Sequence, residues 1–100
     1  MKTGIELIAE ERTRQILDEG YTALHDDDHD EGELASAAAC YAMADVAREN
    51  TGNSGPPMIW PWDADYWRPS PSNRIHELIK AGALIAAEID RLNRLEAKGA

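Results

Sequence analysis

All five prolines and all three tryptophans of this chain fall between residues 50 and 71, in NTGNSGPPMIWPWDADYWRPSP. Proline lacks a backbone donor and fixes φ, so at this density neither a regular helix nor a central strand can pass through. The stretch therefore divides the chain into two blocks. A connection this long is uncommon in a 100-residue domain and is usually functional or disordered. Three tryptophans argue for order, because large apolar side chains anchor loops by burial.

Both flanking blocks carry helical periodicity. Thr3-Gly4-Ile5-Glu6 reads as a capping box, and Gly20 as a C-terminal stop, which predicts a first helix over 4–19. Its apolar face is expected to be Ile5, Ile8, Ala9, Ile16 and Leu17, with the charged residues turned to solvent. An acidic connection follows over 21–32, in which Asp30 and Glu31, with Glu33 just beyond, suit the positive end of a helix dipole. The second helix is predicted over 33–49. Its centre, LASAAACYAMADVA, has only Ser36 and Asp45 as polar residues, and they point to opposite faces. Asp45, as a carboxylate in an apolar helix, is expected to pair with Arg74 or Arg12. The third helix is predicted over 72–96, starting near Ser70-Pro71-Ser72. There Leu78, Gly82, Ile85, Ile89, Leu92 and Glu96 follow the 4-3 spacing of a coiled-coil seam, and Gly82 is expected to admit the alanine-rich second helix. The expectation is one all-α domain spanning 1–100, with three helices and a long Pro/Trp loop between the second and third. Segments 34–47 and 81–87 lack a solvent face, so a homo-oligomer that buries both is expected.

Charge narrows the functional classes. Lys and Arg number 10 against 19 Asp and Glu, a net charge of −9, which disfavours direct nucleic-acid binding. Six of the carboxylates lie between His25 and Glu33, so the acidity is local. No apolar run is long enough to cross a membrane, and the N-terminal residues lack the apolar core of a signal peptide. The single cysteine, Cys40, fits a reducing cytosol and a core position.

Two segments are candidates for chemistry. His25-Asp26-Asp27-Asp28-His29-Asp30 mixes imidazole with carboxylate, the ligands of zinc, manganese or iron. His25, Asp26, Asp27 and His29 are the candidate ligands of a divalent metal ion. The spacing matches neither a calcium loop nor HExxH, and the same segment also reads as a solvated acidic turn capping the second helix. Trp60, Trp62 and Trp67 with Tyr66 could form an aromatic wall beside Arg68, suited to a nucleobase or nucleotide; the alternative is that the rings pin the loop to the helices. Arg12, Arg14, Arg48, Arg68, Arg74 and Lys80 are the cations available to a phosphate.

The string ERTRQILDEGYTALHDDDHDEGELASAAACYA, then WPW at 60–62, Trp-Arg-Pro at 67–69 and LIKAGALIAAEIDRL at 78–92, resembles a family of small accessory proteins of tailed phages and prophages. The likeness spans roughly residues 10–95; Tyr21 departs from it, standing where many relatives carry tryptophan. The resemblance implies an accessory role in the cytoplasm of an infected or lysogenic bacterium, and its pattern includes Tyr41, which joins the candidate ligand-binding residues. Three functions follow as expectations. The first is counter-defence by binding and sequestering a nucleotide-type signalling molecule, without catalysis. The second is a metal-dependent nucleotide hydrolase, using the acidic segment with Glu33 and Glu88, although the paired EExxE and ExxD motifs of all-α pyrophosphatases are missing. The third is an acidic inhibitor of a host defence protein.

Overall fold

The computed structural model describes residues 1–43 and 55–99. They are all-α: α1 (Gly4–Asp18), α2 (Ala23–Asp27), α3 (Glu33–Ala42) and α4 (Arg74–Gly99), with a 3-10 turn at Ala64–Tyr66. The N-terminal capping box forms as the sequence requires: Thr3 Oγ1 accepts from the Glu6 N–H and Glu6 Oε1 from the Thr3 N–H. α1 ends at Asp18, and Gly20 takes the left-handed φ of +74° that the turn needs. The acidic connection contains α2, one short helix beyond the three expected. Thr22 caps it by accepting from the His25 N–H.

α3 begins after Gly32, whose φ of +81° makes it the N-cap without a side-chain bond, and Glu33 is the acidic residue of its first turn. Asp30 therefore does not cap this helix. The predicted end at residue 49 lies outside the described residues, which show a break earlier in that span. Met43 is extended and closes the helix at Ala42. No stop signal marks this point in the sequence. The end is made in three dimensions, where the Arg74 guanidinium donates to the carbonyls of Tyr41, Ala42 and Met43, groups that a helix terminus leaves without partners. Asp45 and Arg48 lie outside the described residues; Arg12 and Arg74 each bond other groups. α4 starts two residues later than expected because Asn73, rather than Ser72, accepts from the His76 N–H.

α4 is the central element, packed on both α1 and α3. Leu34, Ala37, Ala38 and Tyr41 of α3 meet Ala81, Leu84 and Ala87 of α4 in the core. The all-apolar look of 34–42 resolves simply: Leu34, Ala37, Ala38, Cys40 and Tyr41 are buried within the chain, and the exposed positions are alanines. Gly82 admits α1 rather than α3. A Cβ there would lie 2.5 Å from Ile8 Cδ1, a distance that two carbons cannot share.

α1 follows the expected amphipathic face only in part: Ile8 packs inward on Gly82, but polar residues share the inward side. Its buried residues are Glu11 and Gln15, whereas Ile5 is 82% and Leu17 76% exposed. The inward polar face is held by charge pairing. Arg14 grips Glu11 with two N–H groups at 2.7 and 2.9 Å, and Arg12 donates to Asp26, fully buried on α2, at 2.9 Å. Arg94 of α4 holds the other side of α2 through Asp27 at 2.8 Å. The acidic segment is thus clasped between arginines of two helices.

Candidate functional site

An unbroken row of rings crosses one face of the molecule. Tyr21 stacks on His25 (centroids 4.8 Å apart, planes 10°), and His25 meets His29 edge-on at 4.8 Å. His29 leans on Trp62 at 5.2 Å and Trp62 on Trp60 at 5.4 Å. Trp60 then joins Trp67 and Tyr41, which stack on each other at 4.9 Å. Edge-to-face and offset contacts of this kind hold rings in fixed orientation. The loop is anchored behind them: Trp60 Nε1 donates to the Asp63 carbonyl, and Asp63 caps the turn that presents Tyr66.

Along this row lies a cleft of two adjoining lobes that share Glu19, Tyr21, Trp62 and Tyr66. The smaller, about 180 Å³, is also lined by Arg14, Gln15, Tyr41, Trp60, Arg68, Lys80 and Leu84. The wider and more open lobe, about 430 Å³, adds His25, His29 and Asp63. Volumes of this order suit a small organic ligand.

The cationic end is built with care. The Arg68 N–H donates to Tyr41 Oη, and the Arg68 carbonyl accepts from Lys80 Nζ. Both backbone groups of Arg68 are thereby pinned, while its side chain lines the small lobe without an ion pair among the described residues. Lys80 Nζ sits 4.6 Å from the centre of the Tyr41 ring, and burial there lowers its pKa from the ordinary lysine value. Burial likewise raises the pKa of both Tyr21 and Tyr41, so both phenols stay protonated at neutral pH. Arg14 is shared between Glu11 and Glu19. Two buried polar atoms of cleft residues, Gln15 Oε1 and Trp62 Nε1, have no hydrogen-bond partner among the described residues.

Of the residues expected to bind ligand, Trp60, Trp62, Arg68, Arg14 and Tyr41 come together here. Trp67 stands behind them as a buttress on Tyr41. Arg12 and Arg74 do not reach the cleft, being occupied by Asp26 and by the carbonyl end of α3. The proposed metal ligands are dispersed among other partners. Asp26 meets Arg12, Asp27 meets Arg94, His25 Nδ1 lies 3.0 Å from Asp26 and His29 Nδ1 lies 3.3 Å from Glu33. Among the described residues no group of three or more metal-ligating side chains is arranged around a common point.

Gln15, Glu19 and Tyr21 are site residues that the pattern of the chain did not single out as such, whereas Lys80 was among the cations it offered. Glu11, Gln15 and Glu19 recur at i, i+4 and i+8, one face of α1, and that polar stripe was the available signal; periodicity alone cannot tell a polar face turned to water from one turned to a ligand. Among the described residues, no helix is long and apolar enough to cross a membrane. No protein-family model, no curated protein and no solved structure matches the chain.

Proposed function

We propose that the cleft captures a small nucleotide-type molecule and holds it without turnover. The observation that carries this reading is the joining of an aromatic lobe to a cationic one. Tyr21, Trp62 and Tyr66 offer flat faces on which a base can stack, and base–aromatic stacking is worth about 1–3 kcal/mol per ring. Arg68, with Lys80 and Arg14 beside it, supplies the charge for a phosphate in the small lobe. Glu19 and Asp63, at the rim of the wide lobe, are hydrogen-bond acceptors suited to ribose hydroxyls. Capture is favoured over hydrolysis because the carboxylates that a metal-dependent reaction would gather are committed elsewhere: Asp26 and Asp27 to arginines, and Glu88 to Arg91 at 2.6 Å. Together with the resemblance to phage accessory proteins, this supports a counter-defence role, in which a host signalling nucleotide is sequestered in the bacterial cytoplasm.

The test is a tryptophan fluorescence titration with mono-, di- and cyclic nucleotides, followed by recovery of the ligand. Saturable quenching with intact ligand is expected, and Arg68→Ala should weaken nucleotides while leaving the matching nucleosides unchanged. Absence of quenching by every nucleotide at millimolar concentration, or recovery of cleaved ligand, would overturn the reading.

A further inference from the structure

We propose that α4 pairs with the α4 of a second copy of this chain, along a seam that faces away from the ligand cleft. From Ile75 to Leu92 the two seam positions and the position beside them read Ile75, Leu78, Ile79, Gly82, Ile85, Ala86, Ile89 and Leu92, without one charge in a chain that is 29% charged. Gly82 lies toward α1, where Ile8 seats on it, and Ile79 and Ala86 are half-buried. The others stand open: Ile75 is 68% exposed, Leu78 46%, Ile85 48%, Ile89 52% and Leu92 47%. At 1.5 Å per residue this strip is roughly 25 Å long. Its five large side chains present on the order of 500 Å² of apolar surface, where a standard interface takes about 800 Å² from each partner.

The occupant is a second copy because the chain needs this cover at all times. Its buried apolar core is nine residues among those described, of which five are alanine, and it also encloses Glu11, Gln15, Asp26, Glu77 and Arg91. So small a core leaves little stabilisation from burial. Only the chain itself is present in constant proportion to the chain. An uncharged helical strip is also complementary to itself across a two-fold axis, the commonest arrangement of soluble oligomers. On a helix of 100° per residue, Ile85 and Ile89 point about 100–180° away from Lys80 and Leu84, the α4 residues that line the cleft. Pairing therefore leaves the ligand site open, and it stands or falls independently of what that site binds.

The experiment is sedimentation of the full chain at micromolar concentration, with the mass compared with the 11.0 kDa of one chain. The wild type is expected at twice that mass or a higher multiple. The double variant Ile85→Glu, Ile89→Glu is expected at the mass of one chain with its helical circular dichroism retained. Leu17→Glu, an exposed apolar position on α1, should leave the multiple unchanged. A wild type that sediments as one chain, a mass that is not a multiple of one chain, or a double variant that keeps the multiple would each overturn the pairing. Should the double variant unfold, Ile85→Cys decides. Residue 85 lies within one turn of the middle of the seam, so it meets its counterpart whether the helices run parallel or antiparallel. Cys40 is fully buried and shielded from reagent. A short bismaleimide is expected to link two Ile85→Cys chains and to link no wild-type chains; failure to link the variant overturns the proposal.

Discussion

The Arg12–Asp26 pair offers the sharpest test of how this fold is held. Asp26 is fully buried, accepts from Arg12 at 2.9 Å and lies 3.0 Å from His25 Nδ1. In Asp26→Ala the guanidinium would keep one hydrogen bond, to the Tyr21 carbonyl at 3.2 Å, and its Nε already has no partner among the described residues. Stranding one member of a buried ion pair costs about 3–5 kcal/mol. The Arg12 side chain retains 13% exposure, so water can reach it in part, and the loss should fall near the lower figure, about 3 kcal/mol. For a domain of this size that corresponds to a fall in melting temperature of roughly 12–24 °C. The assay is urea unfolding followed by circular dichroism, on Asp26→Ala, Arg12→Met and the double variant Arg12→Met, Asp26→Ala. Because the double variant leaves neither charge stranded, it should be less destabilised than the two single losses summed, by about 2 kcal/mol or more. Additive losses, or single losses below about 0.5 kcal/mol, would refute the reasoning. Chelation of the wild type separates this account from a metal site at the same residues: the ion-pair account expects an unchanged melting temperature with chelator.

Gly82→Ala should destabilise by about 1–3 kcal/mol through overpacking on Ile8, and adding Ile8→Ala should recover part of that loss in the same unfolding assay. Trp62→Ala should weaken a bound nucleotide by about ten- to a hundredfold with a small change in stability, whereas Trp67→Ala, which removes the ring stacked on Tyr41, should lower the urea midpoint first. Acid stability follows from carboxylate pairing. Burial alone would raise the pKa of Glu11, but the Arg14 fork outweighs it, so the folded value lies below the ordinary 4.5. The Arg94 hydrogen bond similarly lowers Asp27 below 3.8. Groups depressed in the folded state stabilise it above their unfolded pKa and lose that contribution as pH falls toward the folded value. The urea midpoint should therefore hold from neutral pH down to about 5 and decline progressively below about 4.5.

Local chemistry set a good deal of this molecule before any tertiary contact. The Thr3–Glu6 capping box and the turn at Gly20 act over three or four residues, so they are legible in the chain and recur in the structure. The all-α class follows from the same short-range periodicities. The gathering of Trp60, Trp62 and Arg68 was legible for a similar reason, since these residues share one stiffened loop.

Tertiary structure alone decided which polar groups face inward. Glu11 and Gln15 are buried while Ile5 and Leu17 are exposed, because α1 is positioned by the pairing of Arg12 with Asp26, 14 residues on in sequence, and by the seating of Ile8 on Gly82. Periodicity records that two faces differ, and it carries no sign for which one meets a partner. The end of α3 belongs to the same class, being made by Arg74 from more than thirty residues away. So does the division of the arginines, of which Arg12 and Arg74 became struts and Arg68 was left at the cleft. Each of those outcomes depends on which carboxylate or carbonyl a long, flexible cation can reach, a distance that exists only once the helices have packed.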